Sequence, residues 1–137
     1  MQNPSGGKTA LGLDTNVGAM ICYLGNLICG IGGLIYSILV ITQDKINPLA
    51  RFHAFQSLFL TISCIVLSVA LYVVMFVGIF IDAAIGLPVI SGLMGLLLLG
   101  VCVGYLVFWI LAMIKAYGGE KYKIPVIGNF AEKYSSQ

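Results

Sequence analysis

The side chains that could do chemistry in this chain are few, and they stand inside or at the edges of long uncharged runs. His53 is the single histidine, with Arg51 and Gln56 close to it in sequence. A lone imidazole cannot build a metal site, although it can be the axial ligand of a chlorophyll or haem held mainly by other contacts. Asp82 is the single acid between positions 45 and 119. An acid inside a membrane points to proton or ion handling, but Asp82 ends an apolar run, where it can reach the outer interface. Cys22, Cys29, Cys64 and Cys102 lie in apolar runs without metal-ligand spacing, and they read as small packing residues. Gly6-Gly7-Lys8-Thr9 resembles the end of a phosphate-binding loop, yet Gln2 stands where the first glycine of that pattern must be. With no paired carboxylate, no Ser-His-Asp and no Cys-His arrangement, the chain is expected not to be an enzyme, and to carry neither metal nor resident cofactor.

The elements that must position these residues are membrane helices. Of the 137 residues, 60% are hydrophobic and 9% charged, a balance that a water-soluble domain of this size cannot bury. Three uncharged runs, 17–41, 54–81 and 89–114, are each long enough for a hydrocarbon core of roughly 30 Å at about 1.5 Å per helical residue. Asp14, Thr15 and Asn16 are suitable caps for the first, Asn47-Pro48 closes the turn after it, and Gly86-Leu87-Pro88 separates the second from the third. The predicted fold is an all-α integral membrane protein. A mobile tail (1–16) precedes a three-helix transmembrane bundle (17–117), and a cytoplasmic tail (118–137) follows. In that last tail Val126, Ile127, Phe130, Ala131 and Tyr134 recur at helical spacing, so a short interfacial amphipathic helix starting at Pro125 is predicted.

With three spans, Lys45, Arg51, Lys115, Lys121, Lys123 and Lys133 share one side and Lys8 has the other. Basic residues near helix ends resist translocation. The C-terminus is therefore expected in the cytoplasm and the N-terminus outside, in a cell inner membrane crossed several times. Tyr105, Trp109 and Tyr117 suit an aromatic belt at the inner interface. The absence of a basic stripe excludes nucleic acid as a partner.

Helix association in lipid depends on small residues and interhelical hydrogen bonds. Ser57, Thr61 and Ser68 follow one seam of the second helix, Gly25, Cys29 and Gly33 one seam of the first, and Gly100 and Gly104 offer the third a close approach. Asn26, the most polar residue of the first helix, needs a partner on a neighbouring helix.

Two stretches, Pro48-Leu49-Ala50-Arg51-Phe52-His53-Ala54-Phe55-Gln56-Ser57 and Met113 through Gly128 (MIKAYGGEKYKIPVIG), together with the Leu11-Gly12-Leu13-Asp14-Thr15-Asn16 entry, carry a family resemblance over nearly the whole chain. The chain resembles a bacterial family of small membrane proteins similar to the Tic component of the chloroplast inner-envelope protein import machinery. The resemblance implies a three-helix membrane domain with His53 and the Lys115 to Pro125 segment as its hallmark positions. Both signatures fall at the cytoplasmic face, where Arg51, His53, Gln56, Lys115 and Glu120 are expected to form one polar cluster. The function expected is that of a non-catalytic accessory or scaffold subunit of a larger membrane complex, respiratory or photosynthetic. The alternative is a component of a protein translocase or channel-like oligomer. Lipids and other integral membrane subunits, or further copies of the chain, are the partners expected.

Overall fold

A computed structural model describes residues 7–29, 31–45 and 47–136, with the side chains of Ile28 and Cys29 not among them. The expected mobility of residues 1–6 and the packing role of the Cys29 side chain lie outside the described residues. The chain forms α1 (Thr15–Cys29), α2 (Gly32–Gln43), α3 (Pro48–Ile85), α4 (Val89–Tyr117) and α5 (Ile127–Ser135).

The first apolar run is therefore two helices and not the single span predicted over 17–41. The ICGIGG stretch places three glycines within four residues, and glycine is the residue whose backbone gives most away on entering a helix. α1 and α2 then pack on each other. Their pairing is antiparallel: a side chain at Gly25 would stand 2.7 Å from the Gly33 amide, and one at Gly18 would stand 3.2 Å from the Tyr36 hydroxyl. Gly25 and Gly33 thus serve the approach of these two helices to each other.

Residues 7–14, expected as part of a mobile tail, are built into the fold. The backbones of Lys8 and Asp14 pair in an isolated antiparallel β-bridge, and the Thr9 amide bonds the Leu13 carbonyl across a turn that passes through Gly12 at φ 81°. Thr15 Oγ1 donates to the Gly7 carbonyl at 2.6 Å. The buried Asp44 carboxylate accepts the Ala10 amide on one oxygen and the Asn47 amide on the other, each at 3.1 Å. Asn47 Oδ1 in turn accepts the Ala50 amide, so Asn47 caps α3 and Pro48 occupies the position where no amide is needed.

Among the described residues, α3 and α4 are the two helices long and apolar enough to cross a membrane. They contain the predicted runs 54–81 and 89–114 and extend beyond them, with Arg51 and His53 in the first turns of α3. α4 ends in a Schellman turn: Gly119 takes φ 75°, the Glu120 amide bonds Lys115 O and the Gly119 amide bonds Ala116 O, both at 3.0 Å.

Two compact units result, Met1–Thr61 with Phe108–Gln137 and Ile62–Val107. In the second, only Gly78 and Asp82 are buried. Gly78 lets α3 approach Ile90, whose Cγ2 would be 2.7 Å from an added side chain. Asp82 lies at the end of its run as expected, but its carboxylate is turned inward: Oδ1 accepts the Ile90 amide at 2.9 Å and Oδ2 the Ser91 amide at 2.7 Å. It thereby satisfies first-turn donors of α4 that have no intrahelical partner. Tyr105 donates to Ser63 Oγ at 3.2 Å. Gly100 and Gly104 have nothing within 4 Å of where a side chain would begin, and Ser68 is half-buried, so the close approach expected at the two glycines is made at Gly78.

Candidate functional site

The polar side chains of the first unit converge on α3. His53 and Gln56 are one turn apart, both fully buried, and both reach the extended segment that follows α4. His53 Nε2 bonds the Glu120 carbonyl at 3.0 Å, Gln56 Nε2 bonds the Tyr122 carbonyl at 3.0 Å, and Gln56 Oε1 accepts the Ile124 amide at 3.4 Å. Residues 120, 122 and 124 alternate, as the period of an extended chain requires. Two side chains of a helix thus stand where a neighbouring strand would, and they hold the segment as a strap.

Tyr23 of α1 completes the arrangement. Gln56 Nε2 donates to its hydroxyl at 3.1 Å, and that hydroxyl lies 3.0 Å from His53 Nδ1. The direction of every bond follows from donor chemistry. The Glu120 carbonyl can only accept, so His53 Nε2 carries a proton. A neutral ring then leaves Nδ1 as acceptor for the Tyr23 proton, while the Tyr23 oxygen accepts from Gln56. The imidazole is satisfied at both nitrogens, with the rings of Tyr23 and Phe52 set edge-on to it at 5.7 and 5.1 Å. Axial ligation of a haem or chlorophyll by His53 would require one of these bonds to be given up.

A second layer lies one to two turns further along α3. Asn26 Nδ2 donates toward Ser57 Oγ at 3.1 Å and Thr61 Oγ1 at 3.0 Å, and lies 3.3 Å from the Cys22 carbonyl. Ser57 donates to the Cys22 carbonyl at 2.7 Å and Thr61 to the Ser57 carbonyl at 2.8 Å, which frees both hydroxyl oxygens to accept from Asn26. Asn26 Oδ1 is buried without a partner among the described residues. Trp109 Nε1 donates to the Tyr23 carbonyl at 3.1 Å, which ties α4 to α1. The polar tips of Trp109 and Tyr105 are therefore spent inside the protein, whereas Tyr117, the third residue expected in an aromatic belt, is exposed.

Beyond the strap, Val126 adopts φ 67° and ψ −58°, and the Ile127 amide bonds the Pro125 carbonyl at 2.8 Å, a tight γ-turn at a β-branched residue. Such a conformation persists only where its surroundings fix it. α5 begins after this turn, two residues later than the predicted start at Pro125. It docks through Gly128, Ala131 and Tyr134, the last with its ring 6.2 Å from Phe55 and 5.7 Å from Phe59.

The five residues expected in one cytoplasmic cluster are distributed unequally. His53 and Gln56 share the strap. Glu120 reaches His53 through its backbone carbonyl, while its carboxylate pairs with Lys115 at 2.8 Å on the exposed surface. Arg51 is partly buried, and its Nε has no hydrogen-bond partner among the described residues. Sequence reasoning missed Tyr23. The signal available was its place three residues before Asn26, since a phenol in an uncharged run needs a polar partner as an amide does.

Comparison with known proteins fits these observations and corrects one expectation. The chain is 38% identical over 129 residues to a UPF0132 membrane protein of Methanocaldococcus jannaschii, covering 94% of this chain and 96% of that one. A second UPF0132 membrane protein of the same organism is 36% identical over 127 residues, covering 91% of this chain and 73% of the relative. One from Archaeoglobus fulgidus is 28% identical over 101 residues, covering 74% and 82%. No solved structure matches the chain. The resemblance to a bacterial, Tic-like family is overturned: these relatives are archaeal membrane proteins, and the family that matches has no link to the plastid import machinery. That family is described as the Magnetosome magnetite crystal formation protein family, MamF/MmsF, and its match runs over residues 14–131, from the start of α1 into α5. This all-helical membrane protein therefore belongs to the MamF/MmsF family.

Proposed function

We propose that the chain is a non-catalytic membrane scaffold, an accessory subunit whose apolar hairpin 62–107 sits in the bilayer and contacts other membrane components. The observation that carries this reading is the surface of that hairpin. More than twenty large apolar side chains between Ile62 and Val107 are exposed, among them Val66, Phe76, Phe80 and Leu96. Leaving one such side chain in water forgoes about 1.5–3 kcal/mol. Twenty together exceed the roughly 5–15 kcal/mol by which a folded domain is stable. Lipid and neighbouring apolar helices are the surroundings that remove this penalty.

The polar residues support the same reading from the other side. His53, Gln56, Tyr23, Ser57 and Thr61 spend their hydrogen bonds on the fold itself, as framework residues do. Lys45, Arg51, Lys115, Lys121, Lys123 and Lys133 set the cytoplasmic side, with the C-terminus there, in the cell inner membrane. Magnetite crystal formation, the process in the family's description, would engage this chain through the membrane it organises. Among the described residues no group of three or more His, Cys, Asp and Glu side chains offers a metal site.

Purification of the tagged protein in mild detergent, followed by mass spectrometry of what accompanies it, tests the reading. Recovery with integral membrane partners in fixed stoichiometry is expected. A closed homo-oligomer would favour a channel-like assembly instead, and a lone monomer would overturn both.

A further inference from the structure

The geometry points to a one-leaflet wedge: we infer that the α1–α2 hairpin enters the bilayer from the cytoplasmic side, turns within that leaflet, and leaves on the side it entered. The inference rests on the reading that residues 62–107 cross the membrane, and it changes where the N-terminus lies.

Length comes first. α1 has 15 residues and α2 has 12, which rise about 22 and 18 Å against a hydrocarbon core of roughly 30 Å. Neither crosses alone, and antiparallel packing prevents their lengths from adding. The polar ends of the pair lie together. Ala10, just before α1, bonds Asp44, just after α2, and the Asn47 side chain donates to Thr15. Between Thr15 and Gln43 there is no charged residue.

Polarity comes second, because α2 is inside out. Its buried face is Gly33, Ser37 and Val40, and its exposed face carries Ile31, Ile35, Ile38 and Leu39. A helix packing against protein from water has the opposite arrangement. In lipid, small and weakly polar residues face protein and large aliphatic ones face acyl chains. Ile31, at the start of α2 and 66% exposed, is the most exposed of these, and Leu27 near the end of α1 is exposed as well. The occupant of this face is therefore acyl chain, with the apolar end of the wedge buried deepest.

Depth comes third. Asn26, near the turn, bonds Ser57 and Thr61 of α3. Thr61 is about 15 Å along the helix from Arg51, the last basic residue before the uncharged run. That is about half of a hydrocarbon core of roughly 30 Å, with Arg51 held at the polar surface by its charge. The turn of the wedge then lies inside one leaflet. Lys8 joins the other six basic residues on the cytoplasmic side, leaving Asp82 as the one formal charge near the far surface.

Two measurements on the full chain test this. Green fluorescent protein, which fluoresces only when kept in the cytoplasm, is fused to either terminus. Both fusions are expected to be bright to within about twofold of each other, as two crossings require. A bright C-terminal fusion with a dark N-terminal one overturns the wedge while sparing the scaffold, whereas a dark C-terminal fusion overturns the orientation on which both rest. Second, Ile31→Trp and Ile38→Trp, each in a Trp109→Phe background, are placed in vesicles of phosphatidylcholine brominated on the acyl chains. Emission at 31 is expected to fall about twofold or more with bromine deep in the chain, and emission at 38 with shallower bromine. Unquenched emission at both positions, from water or from a second copy covering the face, overturns the inference. If one variant fails to fold, the other position decides.

Discussion

The two units of this molecule bury very different amounts of themselves. Around residues 7–61 and 108–136 the interior holds Tyr23, Asn26, His53, Gln56, Ser57 and Thr61, with small residues such as Ala19, Ala50 and Ala112 beside them. In the hairpin 62–107 only Gly78 and Asp82 are buried, and aliphatic side chains cover the outside. The contrast shows two ways of satisfying a backbone and its side chains where water is scarce. The hairpin relies on intrahelical hydrogen bonds, the Asp82 cap on α4, the Tyr105–Ser63 bond and one close glycine contact, and it leaves its apolar surface to the surroundings. The other unit has breaks, a strap and an irregular turn, and each carries backbone groups that a helix cannot satisfy internally. Buried polar side chains gather there for that reason.

The largest expected effect comes from making the same substitution in both units. A side chain at Gly33 would stand 2.5 Å from the Asn26 amide nitrogen and the Cys22 carbonyl, backbone atoms that cannot swing away. Gly33→Ala is expected to destabilise by about 3 kcal/mol or more, at the upper end for overpacking. Gly100 has open space around it, so Gly100→Ala should be neutral or should stabilise by up to about 1 kcal/mol through helix propensity. Thermal unfolding in detergent, in a background where Cys29, Cys64 and Cys102 are replaced so that a thiol-reactive dye reports exposure of the buried Cys22 alone, measures both. Equal effects would mean that the two units are packed alike.

Next in size is the strap. Gln56→Leu keeps the side chain's bulk but leaves the Tyr122 carbonyl and the Ile124 amide without their partner. Each orphaned buried group costs about 1–3 kcal/mol. Because both belong to one segment, the effect should appear as local release. Hydrogen exchange at Ile124 and protease cutting within 120–126 should rise on the order of a hundredfold, while Cys22 stays protected. Tyr23→Phe removes only the hydroxyl between His53 and Gln56 and should loosen the same segment less, by about 1 kcal/mol. Loss of Cys22 protection together with the strap would show that it is no separable layer.

How much of this could be read from the sequence divides along the same line. The helices of the hairpin are visible in the uncharged runs themselves, because length and hydropathy decide whether a helix can cross a bilayer. The break in the first run is not, since hydropathy scores one helix of 25 residues and two short antiparallel ones alike. Gly30, Gly32 and Gly33 were the sign of the break, and they are equally the composition of a packing seam. His53 and Gln56 stood out as isolated polar residues. Glu120 was expected beside them for its charge, but it meets His53 through its backbone carbonyl, and Tyr122 and Ile124 likewise contribute backbone atoms, which leave no mark in residue type. Tyr23 was hidden by its own ring, which suits an apolar helix as well as a polar network.

The smallest expected effect lies at the outer edge of the polar-cored unit, where α5 docks. Lys123 Nζ donates to Glu132 Oε2 at 2.7 Å, and this ammonium holds the Glu132 carboxyl below the usual carboxylate range. A carboxyl lowered in the folded state contributes stability that is present above its unfolded value, about 4.3, and is lost as pH falls through the folded one. Docking of α5 should therefore be constant from about pH 8 to 5 and should weaken only in acid below about pH 4. Both side chains are about half exposed, so salt screening should reduce the effect further. Fluorinated tyrosine read by NMR separates the layers: the Tyr134 signal, set by Phe55 and Phe59, should move with acid and stop moving in Glu132→Gln, while the Tyr23 signal stays fixed. If both signals moved together with Glu132, the surface pair would be coupled to the buried network, and the division between a solvated edge and a sealed polar core would fail at the strap.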